Sequence, residues 1–252
     1  MIKRELYMNR IRPFIGGELI KVMTGIRRSG KSVMLELIKE ELAEAGVAPS
    51  QMISINFEDM RYSHLQTATA LHDEIIKRAE GIEGKAYLFF DEIQEVEGWE
   101  KCVNSLRVAL DCDIYITGSN AKLLSGELAT YIGGRYVEFV IYPFSFAEFL
   151  ELYHTIAPSD SIQQCFQKYL LAGGMPYLAN LRYEEEPSRQ YLTDLFNSVQ
   201  LKDIVKRNKI RDIDLLERII AYMTANVGTV FSASSLAKFF KNEQRTVAAE
   251  TI

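Results

Sequence analysis

The chain has 252 residues, of which 48% are hydrophobic and 25% are charged, and its formal net charge at pH 7 is −5. This composition is that of an ordinary globular protein and excludes collagen-like, low-complexity and wholly disordered chains. The negative net charge also excludes a globally basic nucleic-acid-binding surface, although residues 190–252 carry a small positive excess.

The chain shows neither a secretion signal nor a membrane span. Its N-terminal residues are charged and lack an apolar core, and no apolar run approaches the roughly 18 residues that a span needs. Three cysteines, Cys102, Cys112 and Cys165, form no C-x-x-C pair, which favours buried free thiols over disulfides or a zinc site. We therefore expect a cytoplasmic protein without membrane contact.

Residues 1–142 alternate short apolar runs with helical periods. The pattern predicts strands at residues 20–24, 52–57, 86–90, 114–117 and 136–141, and helices at residues 31–45, 71–80 and 99–110. The run at residues 86–90 is continuously apolar, as expected of a strand that is covered on both faces of a parallel sheet. This alternation predicts a three-layer α/β domain with a mostly parallel sheet.

Residues 25–32, Gly-Ile-Arg-Arg-Ser-Gly-Lys-Ser, match the phosphate-loop pattern G-x-x-x-x-G-K-[ST] at every fixed position. The glycines allow backbone N–H groups to wrap a phosphate at the positive end of the helix that follows. Lys31 is predicted to reach the β- and γ-phosphate oxygens, and the Ser32 hydroxyl to bind Mg²⁺. The predicted nucleotide-binding residues are Gly25, Arg27, Arg28, Ser29, Gly30, Lys31, Ser32 and Val33, although Arg27 and Arg28 are equally compatible with solvated side chains.

About 60 residues further on, the apolar run at residues 87–90 ends in Asp91 and Glu92. Asp91 is predicted to hold the Mg²⁺ water shell, and Glu92 to be the general base that activates the attacking water. The alternative is that Asp91 and Glu92 are solvated charges in a turn without a role in catalysis. Two further acidic residues, Glu58 and Asp59, follow the second strand. They are candidates for contacts with substrate or Mg²⁺, and helix capping is an equally good explanation. Together the two motifs identify a nucleoside triphosphatase of the class that has an added strand between the phosphate-loop strand and the strand that ends in the acidic residues. The sheet order expected for this class is 5-1-4-3-2.

Small polar residues follow the strand at 114–117. Thr117, Ser119 and Asn120 are candidates for a sensor that hydrogen-bonds the γ-phosphate or the lytic water, and we take Asn120 as the catalytic candidate. A plain turn or helix cap is the alternative. Arg135, between glycines and the last strand, is either an arginine finger, in cis or toward a neighbouring subunit, or a structural side chain.

The remaining sequence, from residue 143, is almost entirely helical in pattern. Helices are predicted at residues 145–154, 162–172, 187–206, 213–225 and 234–241, and a last one begins near residue 243. Residues 228–238 are typical of the start of a helix-turn-helix, and Lys241 and Arg245 are candidates for contacts with DNA phosphates. A protein-interaction module is the alternative, since helix-turn-helix units serve both purposes.

Four blocks occur in an order that resembles a known family: GIRRSGKS at residues 25–32, DEIQEVEGWE at 91–100, the stretch 117–150, and YLLAGGMPYL at 169–178. Over essentially the whole chain they resemble prokaryotic AAA+/STAND-like ATPases related to archaeal-type ATPases. That family has an α/β core, a helical lid, a winged helix and a C-terminal domain of unknown function. The resemblance implies a core at residues 1–142, a lid at 143–210 and a partial winged helix at 211–252. Because the chain stops before a wing or a further domain, we expect a shortened chain or a split gene product.

The function that we expect from these observations is ATP binding with Mg²⁺-dependent hydrolysis of the β–γ bond, coupled to conformational switching of the lid and the winged helix. The alternative is a nucleotide-gated regulatory or DNA-binding switch with little turnover. ATP and ADP are favoured over guanine nucleotides because no N-K-x-D motif occurs. The sequence leaves open self-association and a DNA or protein partner for the C-terminal helices.

Overall fold

The structure is a computed structural model that describes residues 2–118, 132–199, 205, 210, 212–230 and 232–242. The chain forms two compact units, Met1–Arg189 and Gln190–Ile252, and the first of them contains the β-sheet.

Five strands form one parallel sheet: β1 (Ile20–Thr24), β2 (Met52–Asn56), β3 (Ala86–Asp91), β4 (Cys112–Thr117) and β5 (Tyr136–Val140). Their order is β2-β3-β4-β1-β5, which confirms the predicted order 5-1-4-3-2 counted from the other edge. Since every pairing is parallel, the carboxyl ends of all five strands lie at the same edge of the sheet, where ligands bind in folds of this class.

Four helices cover the two faces of the sheet: α1 (Glu5–Ile11), α2 (Lys31–Glu44), α3 (Ala68–Ala79) and α4 (Trp99–Ala109). Alternate strand residues feed two separate cores. One core joins α1 and α2 to side chains such as Met23 and Phe89, and the other joins α3 and α4 to side chains such as Val22 and Phe90. The three-layer α/β prediction is therefore confirmed.

Three helices follow the sheet: α5 (Phe146–Tyr153), α6 (Ile162–Ala172) and α7 (Glu185–Val199), the last of which continues into the second unit. The side chains of Ser145 and Glu148 form a capping box that starts α5. Phe149 is fully buried, and its ring packs against those of Tyr153, Tyr169 and Tyr183.

Residues before α5 and after α6 meet at one backbone contact. The Phe144 N–H donates to the Gly174 carbonyl oxygen at 2.7 Å, and the Tyr169 hydroxyl donates to the Phe144 carbonyl oxygen at 2.9 Å. A Cβ atom on Gly174 would lie 2.0 Å from that same carbonyl oxygen, so this position requires glycine. The two-helix segment from α5 to α6 therefore begins and ends at the same place, where Phe144 and Gly174 are hydrogen-bonded.

The second unit contains α8 (Ile213–Ala225) and α9 (Ala233–Asn242), which share a small core of Leu215, Leu236 and Phe240. The last predicted helix, from residue 243, lies outside the described residues, as does most of the chain between α7 and α8. Within the described part, no helix combines the length and the apolar composition that crossing a bilayer requires.

Candidate functional site

The loop between β1 and α2 passes close to the end of β5, and two of its residues must be glycine for different reasons. Gly25 has φ +145°, and a Cβ atom there would lie 2.2 Å from the Ile141 carbonyl oxygen. Gly30 has φ +99° and is the residue that precedes the first turn of α2. The left-handed conformation is costly for residues with a side chain. The glycines of the motif thus let the loop turn sharply and lead into the N-terminal end of α2, which carries the positive end of the helix dipole.

The Lys31 side chain is buried under this loop, with 5% of the residue exposed. Its Nζ donates to the carbonyl oxygens of Gly25 at 3.2 Å and Ile26 at 3.3 Å. The same Nζ lies 3.7 Å from Oε1 of Glu92. The fold therefore brings together the lysine of the first motif and the glutamate of the second, which are far apart in the sequence.

Asp91 is the last residue of β3 and is 6% exposed. Its carboxylate accepts hydrogen bonds from the Thr117 hydroxyl and, at 3.2 Å, from Nδ2 of Asn56. Both donors are neutral, so the negative charge of Asp91 is not balanced by either of them.

One carboxylate and one hydroxyl suit Mg²⁺, which uses few protein ligands and keeps water and phosphate oxygens in its shell. Asp91 supplies the carboxylate, and Ser32, exposed in the first turn of α2, supplies the hydroxyl. The described residues include no group of three His, Cys, Asp or Glu side chains able to hold a metal ion by themselves. The donor set at this edge therefore fits a metal ion that is bound together with a phosphate.

Glu92 adopts a conformation that is uncommon for a residue with a side chain, with φ +55° and ψ +46°. Its backbone N–H donates to the Thr117 hydroxyl at 3.0 Å, and its carboxylate accepts a hydrogen bond from Nε2 of Gln94. Backbone strain of this kind persists where surrounding contacts fix it, often at functional sites. The contacts with Thr117 and Gln94 turn the Glu92 carboxylate toward Lys31.

The other predicted nucleotide-binding residues occupy the loop or the first turn of α2. Ser29 is fully buried, Arg28 has φ +62° and an exposed side chain, and Val33 is 38% exposed. The hydroxyl of Ser29 has no hydrogen-bond partner among the described residues. Arg27 is half-buried in the same loop.

Of the two acidic residues after β2, Asp59 serves as a cap. Its carboxylate accepts hydrogen bonds from the backbone N–H and the side chain of Arg61, and it begins the 3₁₀-helix Met60–Leu65. Those bonds lower the pKa of Asp59. Glu58 donates its N–H to Oδ1 of Asn56 at 2.9 Å. The capping alternative therefore accounts for Asp59.

Two predicted catalytic residues are not placed beside Lys31 and Glu92. Asn120, like Ser119, lies outside the described residues. Arg135 precedes β5 at the amino edge of the sheet, where its carbonyl oxygen accepts from Ile20 N–H and its Nη1 donates to Asn104 Oδ1 at 2.7 Å. A role for Arg135 toward a neighbouring subunit stays a prediction.

Asn56 is the site residue that the sequence patterns did not reveal. It is the last residue of β2 and pairs in register with Asp91, so its amide faces the carboxylate of its neighbour. The signal available in the sequence was its place at a strand end, two residues before Glu58, but only the sheet register shows which of these side chains faces Asp91.

Two parts of the chain match family models. Residues 18–150 match a family described as an AAA domain, and residues 163–251 match a domain of unknown function, DUF8612. The second match covers most of the region for which the sequence predicts the lid and the partial winged helix, from residue 163 onward, so a domain of unknown function is present within this chain.

Two curated relatives are similar along most of the chain. An uncharacterized protein of Haemophilus influenzae is 38% identical over 253 residues, which cover 100% of this chain and 62% of the relative. An uncharacterized protein of Methanocaldococcus jannaschii is 32% identical over 236 residues, which cover 89% of this chain and 51% of the relative. The chain therefore spans between half and two thirds of the length of these relatives.

Among solved structures, a point mutant of RuvB from Thermotoga maritima has 14% sequence identity with this chain and a TM-score of 0.49. The match covers 99% of this chain and 82% of that protein.

Proposed function

This chain belongs to the AAA domain family of P-loop ATPases, and on that premise we propose that it binds ATP at the loop of residues 25–32 and hydrolyses the β–γ phosphoanhydride bond with Mg²⁺. The observation that carries the proposal is the 3.7 Å separation between Nζ of Lys31 and Oε1 of Glu92. A cation for the terminal phosphate and a base for the attacking water are thus direct neighbours.

Binding rests on the loop backbone and Lys31. The N–H groups at the start of α2 form an anion site on the positive end of the helix, and Gly25 and Gly30 let the loop close around a phosphate. Lys31 would exchange its contacts with the Gly25 and Ile26 carbonyl oxygens for phosphate oxygens, which carry full negative charge. This exchange directs binding energy to the part of the nucleotide that reacts.

Ser32 and Asp91 would hold the metal ion, which when bound neutralises charge on the β- and γ-phosphate oxygens. Glu92 would accept the proton of the attacking water, and Gln94 and the backbone contact with Thr117 orient its carboxylate for that task. Thr117 contacts both acidic residues, which supports its place in the site.

We keep the three-part division as part of the proposal: a nucleotide-binding core at residues 1–142, a lid at 143–210 and a partial winged helix at 211–252. Nucleotide turnover would switch the conformation of the last two parts. A DNA or protein partner of the C-terminal helices, self-association, and a role of Arg135 toward a neighbouring subunit belong to the same proposal.

A switch that retains nucleotide and hydrolyses it slowly is the second candidate function. It is favoured by the hydrogen bond from Gln94 and the nearby Lys31 ammonium, both of which compete with water for the Glu92 carboxylate. Turnover separates the two candidates, because a switch keeps its nucleotide through purification and releases almost no phosphate.

The test measures phosphate release and ADP affinity for the wild type, Lys31→Ala and Glu92→Gln. The matched control is Lys39→Ala, a half-buried lysine two turns further along α2 that pairs with Glu36. We expect Lys31→Ala to lose binding, Glu92→Gln to bind but not hydrolyse, and Lys39→Ala to match the wild type. Equal phosphate release by all four proteins would refute the proposed ATPase.

A further inference from the structure

Arg4 lies just before α1 and joins three separate elements of the first unit. The residue is 3% exposed and has the left-handed backbone conformation, with φ +46°. Its Nη1 donates to the Ser29 carbonyl oxygen at 3.0 Å, and its Nη2 donates to the Tyr142 carbonyl oxygen at 2.8 Å. Its Nε donates to Oε1 of Glu148 at 2.8 Å. One guanidinium thus connects the phosphate loop, the segment after β5 and helix α5.

The contact with Ser29 determines the orientation of one peptide group in the loop. A trans peptide is planar, so its C=O and N–H groups point in opposite directions. The Ser29 carbonyl points at Arg4, and the N–H of Gly30 therefore points away from Arg4. A backbone N–H that is free of the protein's own contacts is the kind of donor that a phosphate nest requires.

The same guanidinium also determines how α5 is held. Glu148 accepts hydrogen bonds from Arg4 and from the backbone N–H of Ser145 at 2.8 Å, and it is part of the capping box that begins α5. The rings of Tyr7 and Phe144 lie 4.6 Å and 5.2 Å from the guanidinium carbon and complete its enclosure. Any shift of α5 that moves Glu148 must therefore move Arg4 or leave a buried charge without its partner.

We propose that Arg4 is a positioning residue that fixes the Ser29–Gly30 peptide in its phosphate-binding orientation and makes this orientation depend on the seating of α5 through Glu148. The proposal rests on the proposed phosphate site at residues 25–32. Its consequence is reciprocal: seating of α5 strengthens nucleotide binding, and bound nucleotide stabilises the seating of α5 by the same factor.

The experiment measures ADP affinity with a fluorescent ADP analogue for Arg4→Met, Arg4→Lys, Glu148→Gln and the double variant Arg4→Met with Glu148→Gln. Each single variant is expected to bind ADP about tenfold more weakly, the size of effect that a hydrogen bond to a charged group produces. Arg4→Lys keeps the charge but not the fork that reaches three acceptors, so it should not rescue binding. The double variant should be no weaker than Arg4→Met alone, since both changes break one chain of contacts.

A second measurement separates coupling from simple loss of structure. Hydrogen exchange of residues 144–153 should slow on ADP binding in the wild type and should not respond to ADP in Glu148→Gln. The matched control is Arg12→Met, which breaks the ion pairs of Arg12 with Glu5 and Glu41 at the other end of α1 without touching the loop. This control should keep both ADP affinity and the exchange response.

The outcomes decide between the two proposals. A wild-type protein that binds no ADP overturns the phosphate site itself. If the wild type binds ADP and Arg4→Met binds within about twofold of it, the role of Arg4 is overturned and the phosphate site stands. If only Glu148→Gln stays within about twofold, the dependence on α5 is overturned. If Arg4→Met does not fold, Arg4→Lys and Glu148→Gln give the decision, since both keep a polar partner in the enclosure.

Discussion

The hydroxyl of Thr117 at the end of β4 donates a hydrogen bond to the carboxylate of Asp91 at the end of β3. The same oxygen accepts a hydrogen bond from the backbone N–H of Glu92 at 3.0 Å. A single fully buried side chain therefore orients the proposed metal ligand and the backbone of the proposed general base.

Replacement of Thr117 by valine preserves the shape of the side chain and removes both hydrogen bonds. We expect the rate of phosphate release to fall by about 10- to 100-fold, because Asp91 and Glu92 lose their shared support. The free energy of unfolding should fall by about 1–3 kcal/mol, the usual effect of an unpaired buried polar group. Steady-state kinetics and urea unfolding measure the two effects, and Thr117→Ser should restore most of the rate. Unchanged kcat in Thr117→Val would remove Thr117 from the site.

Substitution of Gly25 by alanine should prevent the phosphate loop from closing against β5. Its Cβ atom would lie 2.2 Å from the Ile141 carbonyl oxygen, and the residue has φ +145°. Gly46→Ala is the matched control, since Gly46 also has a positive φ, of +91°, but has open space around it. The Gly46→Ala control should lower the free energy of unfolding by about 1–2 kcal/mol, from backbone strain alone. Gly25→Ala should lower the free energy of unfolding, measured with urea, by more than this and should abolish ADP binding. An equal loss in the two variants would show that the close contact between Gly25 and the Ile141 carbonyl oxygen is unimportant.

A buried charge pair lies at the opposite edge of the sheet from the proposed site. Lys21 and Asp113 are both fully buried and form an ion pair, and Asp113 also accepts hydrogen bonds from Gly16 N–H and the Tyr115 hydroxyl, each at 2.7 Å. Lys21→Met leaves the carboxylate without its cation and should reduce the free energy of unfolding by about 3–5 kcal/mol. Phosphate release per folded molecule should not change. A stable Lys21→Met protein with slow turnover would contradict this separation of stability from activity.

The Arg4–Glu148 pair predicts a specific response to acid. Burial raises the pKa of Glu148, but hydrogen bonds from Arg4 and Ser145 outweigh it and hold the pKa below its ordinary value of 4.5. A pKa that is lower in the folded state means that the pair stabilises the fold above about pH 4.5 and that this stabilisation is lost as the pH falls through the lowered value. Urea unfolding should therefore show a smaller loss of stability between neutral and acidic pH for Glu148→Gln than for the wild type. Parallel pH profiles would show that Glu148 has an ordinary pKa.

The sheet and its order were predictable because several signals in the sequence agree. The run at residues 86–90 is apolar throughout since β3 is a central strand covered on both faces. The two motifs together predict that β4 lies between β3 and the phosphate-loop strand β1, as the sheet order shows. The parallel arrangement also predicts which strand ends meet, which is why the acidic residues after β3 could be assigned to the same site as the phosphate loop. By the same argument, a residue just before a strand, such as Arg135, belongs to the opposite edge.

Helix α1 was not predicted, and the reason is physical. Its seven residues carry three buried side chains, Tyr7, Met8 and Ile11, among charged neighbours, which is too short a pattern to distinguish from a loop. The helix is stabilised by packing against α2 and by the contacts of Arg4, both of which are tertiary. The contacts of Thr117 and Asn56 with Asp91 likewise depend on sheet register and not on residue type.

The joined ends of the α5–α6 segment at Phe144 and Gly174 have a consequence for how this chain can vary in length. Because the two ends are fixed to each other and α5 is held through Glu148, a longer turn between α5 and α6 leaves these contacts in place. Doubling a flexible loop costs only about 0.6 kcal/mol of closure entropy. We therefore expect residues 157–160, in the turn between α5 and α6, to accept inserted residues without a change at the edge of the sheet where the strands' carboxyl ends lie.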